Sequence, residues 1–334
     1  MLAIESNAQN LILSQNYASA QFLSPATVGT GVYKQRIQSN MRTQLFNNNS
    51  LFRTIIAGWD TRLNKGGDIE NQNYFGIGAQ IMSDQLVGGL LQTNYMTLNF
   101  AYHLYIDEEN HNEISVGLGG TFSQANLNRS KIVLGQDLLF QSGIIAPSIS
   151  SPSSTTSMYD FQKFPHNYTA NTGVMYTFQN TVTYMQIGAS AFFYTMPTLI
   201  NNISSEASPM KTSLFINREQ IFNEYNTYML HASFSNKFNG GDINSKLNIA
   251  GAISFPMTYE WEQVKRLYVG LIYRAGEAIV PNVSFMLNKY SVGLSYDVYT
   301  NNKTGASIKQ NGFEISFSSS FGKRRNEFLK TIFD

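Results

Sequence analysis

Cysteine is absent from the 334 residues, which excludes disulfide frameworks, thiolate metal sites and cysteine nucleophiles. Charge is scarce as well. Asp, Glu, Lys and Arg make up 13% of the chain, against roughly 25% in an ordinary soluble domain. Their balance is +1, so there is no electrostatic case for nucleic acid or an acidic substrate. No apolar run approaches the ~18 residues of a membrane-spanning helix. The HExxH, GxSxG, CxxC and P-loop patterns are missing too. No catalytic, cofactor-binding or metal-ligating residue is assigned, and the chain is not expected to be an enzyme.

Aromatic residues fill part of that space, with 19 Tyr and 23 Phe, yet mean hydropathy is only −0.20. A sheet with one greasy face and one wet face reconciles the two, and a lipid-facing barrel is such a sheet. The alternation bears this out residue by residue. Met96, Leu98, Phe100, Tyr102 and Leu104 oppose Thr97, Asn99, Ala101 and His103. Val292, Leu294, Tyr296 and Val298 oppose Ser291, Gly293, Ser295 and Asp297, and Phe313, Ile315 and Phe317 oppose Glu314, Ser316 and Ser318. Period two over such lengths is the signature of strands.

The expected fold class is all-β: a transmembrane outer-membrane β-barrel of about fourteen antiparallel strands, with a short plug-like N-terminal segment. The strands are expected near 35–46, 51–63, 73–83, 91–106, 111–123, 168–179 and 182–195. The second half follows near 225–238, 243–255, 257–264, 266–274, 277–287, 289–300 and 310–321. If both termini are periplasmic, connections after even strands are short, and those after odd strands are free to be long. Asp107–Asn110, Gln179–Thr181, Asn239–Asp242 and Asn288 obey the first condition, with 64–72 of middling length. The long connections 124–167 and 196–224 obey the second. A soluble sandwich has no reason to follow that parity.

The chain divides into a leader remnant or added residues at 1–8, an N-terminal segment at 9–34, the barrel at 35–321 and a periplasmic tail at 322–334. The segment Gln9–Thr30 is too polar and proline-interrupted for a membrane strand and is expected to seal the lumen. Arg36 and Arg42 share the polar face of the first strand with Gln38, Asn40 and Gln44. They are candidate plug contacts through charge-assisted hydrogen bonds, with plain solvation of a wet interior as the rival. His103 and His231 fall on lumen faces, where ordinary polar lining competes with a catalytic role. Gly76, Gly78, Gly117, Gly119 and Gly120 sit inside strands, where they permit curvature or close backbone approach. Lys323, Arg324 and Arg325 are expected to emerge in the periplasm. The outward loops offer Pro147, Pro152, Tyr159, Pro197 and Arg218 as partner-binding candidates, with a short helix expected near Asn217–Asn223.

Both ends of the chain resemble one family. Leu13-Ser14-Gln15-Asn16-Tyr17 and Ser24-Pro25-Ala26-Thr27-Val28-Gly29 are similar to the FSQ-x-Y and NPA-x-x-G opening of the PorP/SprF family. Gly270-Leu271-Ile272-Tyr273-Arg274 resembles its G-x-x-Y-R strand, Tyr290 to Asp297 its GYSYD strand, and Gly312-Phe313-Glu314-Ile315 its closing G-x-E-I. Ser24 stands where the family usually has Asn, and Leu294 interrupts the aromatic pattern. The resemblance implies an outer-membrane barrel of type IX secretion and gliding motility. Its implied partner is a large secreted adhesin or cargo C-terminal domain, bound on the extracellular face for anchoring or export. The alternative is a secretion-machinery component that meets periplasmic ring proteins. A passive porin remains the rival outside the family, and outer-membrane lipid is the solvent in every case.

Overall fold

The computed structural model describes residues 13–46, 49–63, 73–89, 91–128, 166–194, 210–223, 226–239, 242–257, 265–300, 310–324, 329 and 331–333. Fourteen strands are formed: β1 (Tyr33–Phe46), β2 (Asn49–Leu63), β3 (Tyr74–Leu86), β4 (Leu91–Tyr105), β5 (Asn112–Leu127), β6 (Asn167–Gln179) and β7 (Thr183–Tyr194), then β8 (Met210–Ile221), β9 (Thr227–Asn239), β10 (Asp242–Pro256), β11 (Lys265–Arg274), β12 (Ala278–Leu287), β13 (Tyr290–Tyr299) and β14 (Gln310–Arg324). Each pairs antiparallel with its neighbours, and β1 pairs β14, closing the barrel. Closure leaves no strand edge, which is what a sheet in hydrocarbon requires.

The alternating side chains sort as the pleat demands. On β4, Met96, Leu98, Phe100, Tyr102 and Leu104 face outward and exposed, while Thr97, Asn99, Ala101 and His103 are buried in the lumen. Register extends this across strands. Arg42 lies opposite Glu314, so two lumen charges meet, and Met41 lies opposite Ile315 on the lipid face. Asn110 (φ 56°) and Asn288 (φ 51°) take the left-handed conformation in tight connections, which Asn tolerates better than most residues.

The strand count agrees with expectation, but two assignments differ. The expected helix near Asn217–Asn223 is instead the end of β8, which occupies part of the expected loop 196–224. Phe215 hid this strand. It turns into the lumen between the outward Leu214 and Ile216, so the three read as an apolar run instead of an alternation. The expected strand 257–264 falls outside the described residues except for Met257, which is a bend. The connection 240–241 therefore follows β9, at the opposite end from where the sequence pattern suggested. The long connections become 128–166 and 195–209, after β5 and β7. Both still leave from the end opposite Tyr33 and Arg324.

The lumen is filled by the chain itself. Leu13–Val32 passes through it as three short helical turns, Asn16–Ala18, Ala20–Leu23 and Pro25–Thr27, joined by bends. The C-terminal residues turn back as well. Leu329, Ile332 and Phe333 are buried against Tyr17, Tyr184, Met229 and Tyr268. The tail expected to stand free is thus seated in the barrel mouth, because its apolar side chains find a core there. Lys323 and Arg324 belong to β14, so the barrel runs from 33 to 324.

Candidate functional site

The plug is held by two polar clusters that grow from lumen-facing positions on separate strands. In the first, Glu314 on β14 accepts from the backbone N–H of Ser14 (2.7 Å) and of Gln15 (2.8 Å), and from Asn40 Nδ2 (2.9 Å). Asp297 on β13 accepts from Arg42 Nη2 (2.5 Å), Arg274 Nη2 (3.0 Å) and the Ser14 hydroxyl (3.0 Å). Arg274 also donates to Ser14 Oγ (3.0 Å). Gln15 donates to Ser295 Oγ and accepts from Ser316 Oγ. Two guanidiniums and two carboxylates, all buried, thus surround two consecutive plug residues. Charge-assisted bonds of this kind are about twice as strong as neutral ones, and breaking a buried pair typically costs about 3–5 kcal/mol.

The second cluster grips the turn Ser24–Gly31. Asp60 on β2 accepts from Arg36 Nε and Nη2 (both 3.1 Å) and from Gly29 N–H (2.7 Å). Arg36 further donates to the carbonyls of Thr27 (3.2 Å) and Phe333 (3.1 Å), so one side chain ties both chain ends to the wall. Arg62 donates to Gly29 O and Gly31 O and lies 3.8 Å from the Tyr74 ring centroid. Tyr74 donates to Glu113, and its ring stacks on His103 at 4.2 Å. Ser24 caps the Pro25–Thr27 turn through Oγ, accepting from Ala26 N–H (3.2 Å). Asn and Ser are interchangeable in that role, which accounts for the departure from the family pattern.

Glycines make the fit possible. A methyl group on Gly76 would overlap the Val28 carbonyl, one on Gly117 the backbone of Pro25 and Ala26, and one on Gly173 the Ser24 hydroxyl. Gly29 itself takes φ 78° and lies against Gly76. Close backbone approach is therefore what these strand glycines supply. The cavity left beside Tyr17, between Gln38, Ser284 and Ser316, measures about 10 Å³, room for about one water.

His103, Glu113 and Ser115 lie together, but not as a catalytic triad. Glu113 Oε1 (2.8 Å) and Ser115 Oγ (3.0 Å) both address the same ring nitrogen, Nδ1, while Nε2 donates to Val28 O (2.8 Å). A triad needs acid and hydroxyl on opposite nitrogens. His231 meets Asn217 Oδ1 at 2.6 Å and packs near Tyr17. Among the described residues no group of His, Asp and Glu is arranged to hold a metal.

Of the candidates named from sequence, Arg36 and Arg42 fall in these clusters, Arg36 touching the plug directly and Arg42 through Asp297. Pro147, Pro152, Tyr159 and Pro197 lie outside the described residues. Arg218 is not on an outward loop. It lies on β8 three residues from the strand's end at the terminal mouth, facing outward beside Gln220 and Tyr228. The sequence reading passed over Asp60, Arg62, Glu113 and Glu219 as site residues. For the first three the available signal was a charged residue on the wet side of an expected strand. Glu219 accepts from Tyr268 O–H (2.5 Å) and from the backbone N–H of Ile332 (2.9 Å), holding the tail.

No curated protein matches the sequence. Among solved structures, the Ralstonia pickettii toluene transporter TbuX is similar at 10% identity, covering 91% of this chain and 94% of that one, with a TM-score of 0.48. The monoaromatic hydrocarbon channel CymD is similar at 13% identity over 92% and 94% of the two chains, TM-score 0.47. A Pseudomonas aeruginosa FadL homologue is similar at 9% identity over 91% and 94%, TM-score 0.47. The sequence pattern of the family described as type IX secretion system membrane protein PorP/SprF matches residues 5–318. Ser14 and Gln15 from the opening motif, Arg274, Asp297 and Glu314 from the closing ones, meet in one cluster inside a closed fourteen-stranded barrel. The chain belongs to the PorP/SprF family and is an outer-membrane β-barrel of the type IX secretion system.

Proposed function

We propose that this barrel is a non-enzymatic anchor, binding a large secreted adhesin-type partner through its extracellular face, or assisting that partner's export. The supporting observation is the filled lumen. Residues 13–32, 329 and 331–333 occupy the interior, which argues against a passive porin and moves the binding role to the ends of the barrel. The two longest connections, 128–166 and 195–209, share the extracellular end.

Affinity capture of the tagged barrel from membranes tests this. A much larger secreted protein is expected in the eluate, and deletion of Pro147–Ser157 is expected to reduce its recovery while heat-modifiable folding persists. Unchanged recovery would remove that loop from the interface. Recovery of periplasmic ring proteins alone would favour the secretion-machinery branch instead.

A further inference from the structure

Cations that face the lumen are matched by partners. Arg36 has Asp60, Arg42 and Arg274 have Asp297, Arg266 has Glu219, and Lys246 has Glu277. Arg62 has two carbonyls and the Tyr74 ring. Two lysines break the pattern. Lys211 on β8 and Lys237 on β9 are register partners. The alternation that buries Ser213, Asn217, His231 and Ser233 in the lumen turns both lysines inward, near its extracellular end. Among the described residues neither has a carboxylate within ion-pair distance. Lys211 Nζ lies 4.4 Å from the ring centroid of Phe22, in the plug, and 5.4 Å from that of Phe192.

Like charges directly opposite on paired strands repel, and a half-buried ammonium without an anion is disfavoured. Aromatic faces offset only part of this. An anion between the two amines would relieve both costs. We propose that Lys211 and Lys237, with Phe22 as the floor, form a socket for a carboxylate side chain of a polypeptide entering from the extracellular mouth. The amines point into the lumen, so lipid headgroups, which ring the outer wall, are on the wrong side of the sheet. The inference rests on the anchoring role and names the chemistry of the partner segment that docks.

Labelled hexaglutamate, with hexaglutamine as neutral control, is titrated onto the detergent-solubilised full chain at low salt and followed by fluorescence anisotropy. The parent is expected to bind hexaglutamate, and the double variant Lys211→Gln/Lys237→Gln to bind it at least about tenfold more weakly. Hexaglutamine should not distinguish the two proteins. Because the substitution removes repulsion, the variant's unfolding temperature should equal or exceed the parent's. Equal affinities for hexaglutamate would overturn the socket. So would inorganic phosphate competing more strongly than free glutamate, since that would mark a phosphate site. If the variant loses hexaglutamate but captures the secreted partner undiminished, the socket is not the docking contact, while the anchoring role survives. If the parent captures no secreted partner yet binds hexaglutamate through the lysines, the anchoring role fails and the carboxylate socket stands.

Discussion

Asp60, Asp297 and Glu314 each accept from at least one plug backbone or side-chain donor and at least one wall side chain, usually an arginine. A buried carboxylate is tolerated on such terms, because each of its two oxygens finds a donor. The wall glycines complement this by steric means. Gly117 and Gly120 lie three residues apart on β5, and they differ in what a side chain would meet. A methyl at Gly117 runs into plug backbone, while at Gly120 nothing lies within 4 Å. Gly117→Ala is expected to destabilise the folded barrel by about 1–3 kcal/mol through overpacking. Gly120→Ala should be neutral, or stabilising by up to about 1 kcal/mol. Urea unfolding from lipid vesicles measures both, and equal midpoints for the two variants would contradict the seating of Pro25 and Ala26 against β5.

At the scale of elements, what the sequence disclosed depended on how local the cause was. β4, β13 and β14 were legible because an outward apolar row and an inward polar row follow from the pleat alone. β8 was not, since Phe215 turns inward to pack with Leu23, Ala26 and Met175, residues far away in sequence. Where Phe215 sits, Gly188 on the neighbouring strand gives way to its ring, and no local pattern records that exchange. The polar end of β8 resembled a solvated helix for the same reason. Asn217 and Glu219 are satisfied by His231, Tyr268 and Ile332. Arg36 and Arg42 could be picked out as lumen cations, but their counterions Asp60 and Asp297 are fixed by barrel closure and register.

The seated tail is an element with its own test. Glu219→Ala removes the acceptor for Ile332 N–H and Tyr268 O–H and the carboxylate beside Arg266, which costs about 3–5 kcal/mol. The tail should then become open to carboxypeptidase, whereas in the parent Thr331–Phe333 should resist trimming. Rapid trimming of the parent would show that the tail does not hold its place under Arg36 and Glu219.

For the whole molecule, closure of the sheet and filling of the lumen are one arrangement. Lipid accepts the outer row of Leu, Ile, Val and Phe, and the wet inner row is met by the protein's own N-terminal segment of short helical turns. Both chain ends converge on Arg36, so barrel and plug are tied where the sheet closes. Such an interior fits the proposed anchoring at the barrel's ends better than passage of solutes through its middle.

Single-channel recording in planar lipid bilayers tests the filled lumen most directly. The intact chain is expected to insert without a steady open level, and a variant lacking Ser14–Gly31 to conduct continuously. A large, stable conductance from the intact chain would contradict the account.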